Sequence, residues 1–350
     1  MCNIAGYIGS QRAVPILLDM MRRQQHFDGG FSTGIALIHE GKLIWRKVLG
    51  NVDDLIEQTD VLSLPGTMGI IHSRPANNLL SYAHPHISSD GKIAVCDNGI
   101  CFGDDNTPMR NKAANMLLDA GVEFLTKRTA EFDTFPQLKT GEYVSDAECL
   151  ALLTEYYHKN GDSLEKAYVK SGSDMYCDLV SLMITEHEPD SIKAWRVSRP
   201  MHLLMAEDES YLATTQFAFP DDIKGTDISL PLFHLCKIKA DSFEICPEKV
   251  SGSPITGHIE PRMYKTAYDK ILSLLKGRRD NPADYDEIEV AIWKKTPELW
   301  TNCETDDYCE YARLAYEVLY DLHSRGILQM EIRPQQKAWG IRKCAFMWID

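Results

Sequence analysis

Nowhere in the 350-residue chain is there a run of about 18 apolar residues, so no membrane-spanning helix is expected. The N-terminus carries neither a basic n-region nor a long apolar core, so no secretory signal is expected either. The ten cysteines form no C-x-x-C pair, and no Cys/His group has zinc spacing. Cys303 and Cys309 are the closest late pair, and nothing beside them completes a metal site. No metal and no cofactor is expected, and most of the cysteines read as reduced, buried residues of a cytoplasmic protein. There is no P-loop, no pyrophosphate-binding fingerprint, no internal repeat and no low-complexity tract. Positive charge is in deficit: 37 Lys and Arg against 51 Asp and Glu leave a net charge of −14. That balance argues against nucleic acid or an anionic membrane as the main partner, since phosphates attract Lys and Arg.

What is present is an ordinary globular composition, 44% hydrophobic and 25% charged, long enough for one large domain and a small one. Residues 4–8, 34–38, 43–49, 69–72 and 93–96 read as strands. Residues 13–25 carry helical periodicity through Ile16, Leu17, Met20 and Met21. A helix is expected over 111–120. Ser145-Asp146-Ala147-Glu148 has the form of a capping box opening a helix that stops near Gly161. Strand-like runs follow at 179–185, 192–197, 202–206, 211–215 and 232–238. Strands, then helices, then strands suggest an α+β fold of two antiparallel sheets with helices packed outside. Residues 1–246 form the first domain, and 247–260, rich in Pro, Ser and Gly, read as a linker. Residues 261–350 form the second domain, with helices at 263–275, 285–293 and 306–325 and then two strands. That is winged-helix order. Thr305 is a candidate cap of its third helix. That helix carries Asp306, Asp307, Glu310, Glu317 and Asp321, which phosphates would repel, so a protein contact or plain packing fits it better than DNA.

Cysteine in second position has a chemical consequence. Removal of Met1 would leave Cys2 with a free α-amine, whose ordinary pKa is about 8. That amine sits beside the thiol and can serve as its base, directly or through a water. Nucleophile and base would then share one residue, and the thiolate is the attacking form.

The stretch Met1-Cys2-Asn3-Ile4-Ala5-Gly6 resembles the opening of the class II glutamine amidotransferases. Further motifs follow in family order: Phe31-Ser32-Thr33-Gly34, His72-Ser73-Arg74-Pro75-Ala76, Ala83-His84-Pro85-His86, Asp97-Asn98-Gly99-Ile100 and Ser145-Asp146-Ala147-Glu148. The pattern is closest to the glutaminase domain of glucosamine-phosphate synthases and covers roughly residues 2–245. It implies a four-layer αββα sandwich of the N-terminal-nucleophile hydrolases, with glutamine as substrate and a thioester on Cys2. It implies that the Asn98 side chain and the Gly99 backbone N–H bind the oxyanion, one such donor being worth about 3 kcal/mol of barrier. Arg74 would bind the α-carboxylate of glutamine bidentately, and Asp146 would bind its ammonium from a helix first turn, where the dipole favours the ionised form. Asn77 falls at a substrate-binding position. His72, His84 and His86 read as hydrogen-bonded structural residues and not as metal ligands.

Some positions depart from the family. Asn3 replaces a glycine and is expected to crowd the strand or the substrate. Asp28 stands where the family has Arg, Pro75 where it commonly has Trp, and Asp97 where it has His. Asn77 and Asn78 replace its polar loop residues, so a different closing loop is expected. Nothing after the linker resembles a sugar isomerase, a phosphoribosyltransferase or an ATP pyrophosphatase. The expectation is a glutaminase that releases ammonia to an acceptor on a protein partner, with homo-oligomerisation open. Two other readings stay open: an N-terminal-Cys hydrolase of another amide, and a degenerate scaffold subunit.

Overall fold

The computed structural model describes residues 2–75, 79–100, 107–129, 135–176, 178–250, 259–301 and 310–350. The chain begins with strand β1 (Asn3–Ile8), helix α1 (Ala13–Asp28), β2 (Ser32–His39), β3 (Lys42–Leu49), α2 (Val52–Gln58) and β4 (Met68–Arg74). Then come β5 (His86–Ile87), β6 (Ile93–Ile100), α3 (Thr107–Asp119), α4 (Asp146–Lys159), α5 (Leu164–Met175), β7 (Asp178–Thr185) and β8 (Glu188–Arg196). The strands β9 (His202–Met205), β10 (Ser210–Ala213), β11 (Thr226–Ser229), β12 (His234–Ile238) and β13 (Phe243–Lys249) complete the first unit.

Seven of these strands form one sheet in the order β11-β9-β10-β1-β4-β2-β3, and six form another in the order β13-β12-β8-β7-β6-β5. Every pairing between neighbours is antiparallel. Alternation along each strand divides its side chains between two faces. Ile4, Ile8, Ile70, Ala94, Cys96, Val180 and Leu182 fill the space between the sheets. Ala5, Tyr7, Ile35 and Leu37 face α1 and α2. Ile93, Val95 and Met183 face α3, α4 and α5. The layers therefore run helix, sheet, sheet, helix. The β2–β3 hairpin turns on Glu40 and Gly41, both at positive φ (49° and 74°), the backbone a two-residue type I′ turn requires.

Helix α2, which the sequence pattern did not suggest, opens on a true capping box: the Asn51 side chain accepts from Asp54 N, and Asp54 accepts from Asn51 N. At α4 the expected box is not formed. Ser145 makes no side-chain cap. Glu148 instead accepts from Leu125 N (2.7 Å) and Thr126 N (3.0 Å), tying a distant loop to the helix. Helix α5 and strand β13 were also not anticipated, and β13 runs to Lys249, into the stretch read as linker.

The second unit holds α6 (Pro261–Leu275), β14 (Ala283–Asp284), α7 (Tyr285–Trp293), α8 (Tyr311–Ser324), β15 (Gln329–Lys337) and β16 (Gly340–Trp348), with sheet order β14-β16-β15. Thr305, Asp306 and Asp307 lie outside the described residues. Its apolar core continues into the first unit through Phe27 and Phe217. Phe27 meets Tyr316 edge-on at 5.7 Å, and Phe217 meets Tyr320 at 5.3 Å. Among the described residues no helix is long and apolar enough to cross a membrane.

Candidate active site

Strands β1 and β4 pair with Asn3 opposite Ser73 and Ile4 opposite His72, which sets Cys2 beside Arg74 at one end of the first sheet. Even-numbered residues of β1, β4 and β6 point into the space between the sheets, so Cys2, Arg74 and Asn98 converge there. The Asn98 amide spans Cys2. Its Oδ1 accepts from the Cys2 backbone nitrogen at 2.9 Å, and its Nδ2 donates to the Cys2 carbonyl at 2.7 Å. The same Oδ1 would hold the α-amine that removal of Met1 creates, and the second Nδ2 hydrogen remains to point at a substrate oxygen.

Gly99 follows at φ 155°, and a Cβ there would collide with the Asp178 carbonyl oxygen. Only glycine permits that approach. Gly34 has the same kind of constraint: a Cβ would meet the His84 carbonyl. This accounts physically for the glycine that ends Phe31-Ser32-Thr33-Gly34.

Arg74 donates from Nη1 to the Tyr82 carbonyl (2.9 Å), and its buried Nε has no partner among the described residues. Asp146 sits at the first turn of α4 and accepts from Ala147 N at 2.9 Å. Burial, opposed by Arg74 and Arg110, pushes the Asp146 carboxyl up, so the helix dipole does not dominate as the sequence suggested. Arg110, on α3 and 1% exposed, had not been singled out. Burial also pushes the Cys2 thiol up, while the positive charge of Arg74 pulls it down. Asn77 lies outside the described residues.

Asp97 faces the opposite way from Asn98, towards α4. Burial, then the nearby charge of Asp146, push its carboxyl well above the usual range, and Arg74 opposes them. Its Oδ1 lies 3.7 Å from His84 Nε2, and its Oδ2 has no partner among the described residues. His72 stacks on His84 (ring centroids 3.9 Å apart) and His86 meets His84 edge-on. Burial holds all three rings well below the usual histidine range, so they are neutral. His84 Nδ1 accepts from Asp97 N at 3.4 Å, whereas both His72 ring nitrogens lack partners among the described residues. Among those residues no group of three or more His, Cys, Asp or Glu is placed to hold a metal ion.

Asn3 does not crowd the site. It is fully buried on the opposite face of β1, beside the C-terminal end of α1. With its amide oriented to satisfy both ends, Nδ2 donates to the carbonyls of Gln24 (3.1 Å) and Asp28 (3.2 Å). The Tyr316 hydroxyl of α8 faces the same side chain. Asp28, another departure, pairs with buried Arg342 of β16 at 3.1 Å. Asn3 and Asp28 therefore both face the second unit.

No protein-family model matches the chain. It is 31% identical over 217 residues to the glutamine–fructose-6-phosphate aminotransferase of Caldanaerobacter subterraneus, covering 61% of this chain and 31% of that one. It is 40% identical over 103 residues to the enzyme of the same name from Pyrococcus horikoshii, covering 29% and 17%. The chain spans about a third or less of the length of these curated relatives. In structure it resembles the glutamine phosphoribosylpyrophosphate amidotransferase of B. subtilis, with TM-score 0.58 and 18% identity over 98% of this chain and 72% of that one. A second solved structure, described as the allosteric regulatory enzyme of purine biosynthesis, gives TM-score 0.59 and 17% identity over 98% and 71%. These likenesses are of fold. Joined to the sequence similarity over its first two thirds, they make the first unit similar to the glutamine amidotransferase domains of these enzymes.

Proposed function

We propose that the chain hydrolyses the side-chain amide of free glutamine and delivers the ammonia to an acceptor site on a partner or a further domain. The observation that carries this reading is the Asn98 amide bridging both backbone groups of Cys2, opposite Arg74 and Asp146. Once Met1 is removed, the α-amine takes the Cys2 thiol proton. The sulfur then attacks the amide carbon, and the carbonyl electrons move onto oxygen, where Asn98 Nδ2 and Gly99 N–H receive the charge. Collapse breaks the C–N bond, and the α-ammonium gives its proton to the departing nitrogen. A γ-glutamyl thioester and ammonia result. Water, deprotonated by the same amine, cleaves the thioester to glutamate and restores the thiol.

Burial favours the thiol over the thiolate, while the positive charge of Arg74 favours the thiolate. Arg74 fits the α-carboxylate and Asp146 the α-ammonium, which supports a free amino acid as substrate over another amide. In this reading the setting is cytoplasmic. The α6-β14-α7-α8-β15-β16 order and the β14-β16-β15 sheet support a winged-helix-like second unit that packs on the first.

Glutamate and ammonia release should be followed with L-glutamine and with N-acetyl-L-glutamine. Turnover of L-glutamine, lost in Cys2→Ala and absent with the acetylated compound, is the expected result. Equal turnover of both compounds would contradict the role given to Asp146.

A further inference from the structure

Arg199 follows β8 and is 5% exposed. Its Nε lies 2.8 Å from Asp178 Oδ2, and Asp178 is itself fully buried at the start of β7. The other Asp178 oxygen accepts from Ser198 N (3.2 Å) and Ser198 Oγ (2.5 Å). On its far side Arg199 donates from Nη1 to the Tyr311 hydroxyl of α8, and its guanidinium lies 5.2 Å from the centre of the Tyr311 ring. The backbone carbonyl of the same Asp178 is the group against which Gly99 packs, and Gly99 pairs with Leu179 one residue along. A continuous line of contacts thus runs from α8 through Arg199 and Asp178 to the Asn98-Gly99 pair at Cys2.

We propose that Arg199 is a positioning residue for amide hydrolysis: clamped between Asp178 of β7 and Tyr311 of α8, it fixes the strand that seats Gly99, so the second unit sets the geometry of the oxyanion donors. The inference rests on the glutaminase reading above. A buried cation is costly unless paired, and here both partners lie on elements that must stay in register for the pairing to persist. Fully buried Asn3, the residue after the nucleophile, gives α8 a second approach to the site through Tyr316. Burial favours the neutral guanidine, but the charge of Asp178 and the hydrogen bond to Tyr311 outweigh it and keep Arg199 protonated. Its charge in turn favours the Cys2 thiolate.

The test uses the full-length chain and three variants: Arg199→Met, Arg199→Lys and Tyr311→Phe. Two quantities are read, kcat and KM for L-glutamine and the pH profile of Cys2 alkylation by iodoacetamide. Arg199→Met is expected to lower kcat about tenfold to a hundredfold, short of deleting an oxyanion donor outright, with KM nearly unchanged. Its alkylation profile should move to higher pH, because one positive charge near the thiol is gone. Arg199→Lys keeps the charge but not the two-sided fork, so kcat should fall with the profile in place. Tyr311→Phe should give a smaller loss of kcat. A purely structural role would lower the folded fraction and leave kcat per folded molecule and the alkylation profile where they were, which would overturn the inference. Should Arg199→Met not fold, Arg199→Lys and Tyr311→Phe decide on the same terms. A wild-type chain that releases no ammonia from glutamine overturns the functional reading and this inference with it. An active wild type with unaffected variants overturns this inference alone.

Discussion

Asn98 and Gly99 are adjacent in sequence yet would act through different parts of themselves in the proposed reaction, one through its side-chain amide and the other through its backbone. Asn98→Ala should lower kcat about a hundredfold to a thousandfold, as loss of one oxyanion donor does elsewhere. The same change frees the Cys2 nitrogen from its acceptor, so the pH profile of kcat should shift as well as fall. Asp97 offers a stability test with a definite sign. Its folded carboxyl binds a proton more tightly than the unfolded value of about 3.9 allows. Stability from this group is therefore fully present below that pH and is lost as pH rises towards the folded value. Asp97→Asn should match the wild type near pH 4 and become progressively more stable above it, by up to about 1.4 kcal/mol per pH unit. Urea denaturation over a pH series measures this, and a difference independent of pH would contradict it. Arg74 and Asp146 were read from motif order, and their roles in binding glutamine are part of the proposal. Arg110, Arg199 and Tyr311 were not, because their importance comes from partners up to 112 residues away that no local pattern marks.

At the scale of elements, a motif and its use can separate. Ser145-Asp146-Ala147-Glu148 has the spacing of a capping box, but Glu148 reaches the 125–126 loop instead. The Ser145 N–H that a box would claim donates to Thr126 Oγ1 instead, and the loop offers the Leu125 and Thr126 N–H groups. Glu148→Ala leaves both unpaired and should cost about 2–4 kcal/mol, read as a lower urea midpoint. Helix α5 went unseen because polar residues, among them Glu165, Lys166, Lys170 and Ser173, interrupt the apolar positions that α4 and β7 cover. Strand β13, with Glu244, Ile245 and Lys249 exposed, reads as a surface run until its pairing with β12 is known. The Asp28–Arg342 pair joins α1 to β16 with both side chains buried. Asp28→Ala should cost about 3–5 kcal/mol because it strands the arginine, and Asp28→Leu with Arg342→Met should recover most of that. Losses that simply add in the double variant would show that the pair is not coupled.

For the whole molecule, the two units share one core at Phe27 and Phe217, where aromatic rings of both interlock. Domains joined by thin polar contacts unfold separately, whereas a shared apolar core makes them cooperative. A single calorimetric transition is expected, and two resolved transitions would contradict the shared core. The two-sheet sandwich was legible because strand alternation and family motifs agreed over the first two thirds of the chain. The docking of the second unit was not, because the residues that bind it, Asn3, Asp28 and Arg199, read in sequence only as departures or as ordinary polar positions. Those three place the second unit against both the nucleophile strand and the strand beneath Gly99.

The most direct test of Cys2 as an N-terminal nucleophile is intact-mass spectrometry before and after exposure to a diazo-ketone analogue of glutamine. The expected result is a protein that has lost Met1 and gains one adduct, mapped to Cys2 and prevented by excess glutamine. A protein that retains Met1, or a processed one that takes no adduct at Cys2, would contradict it.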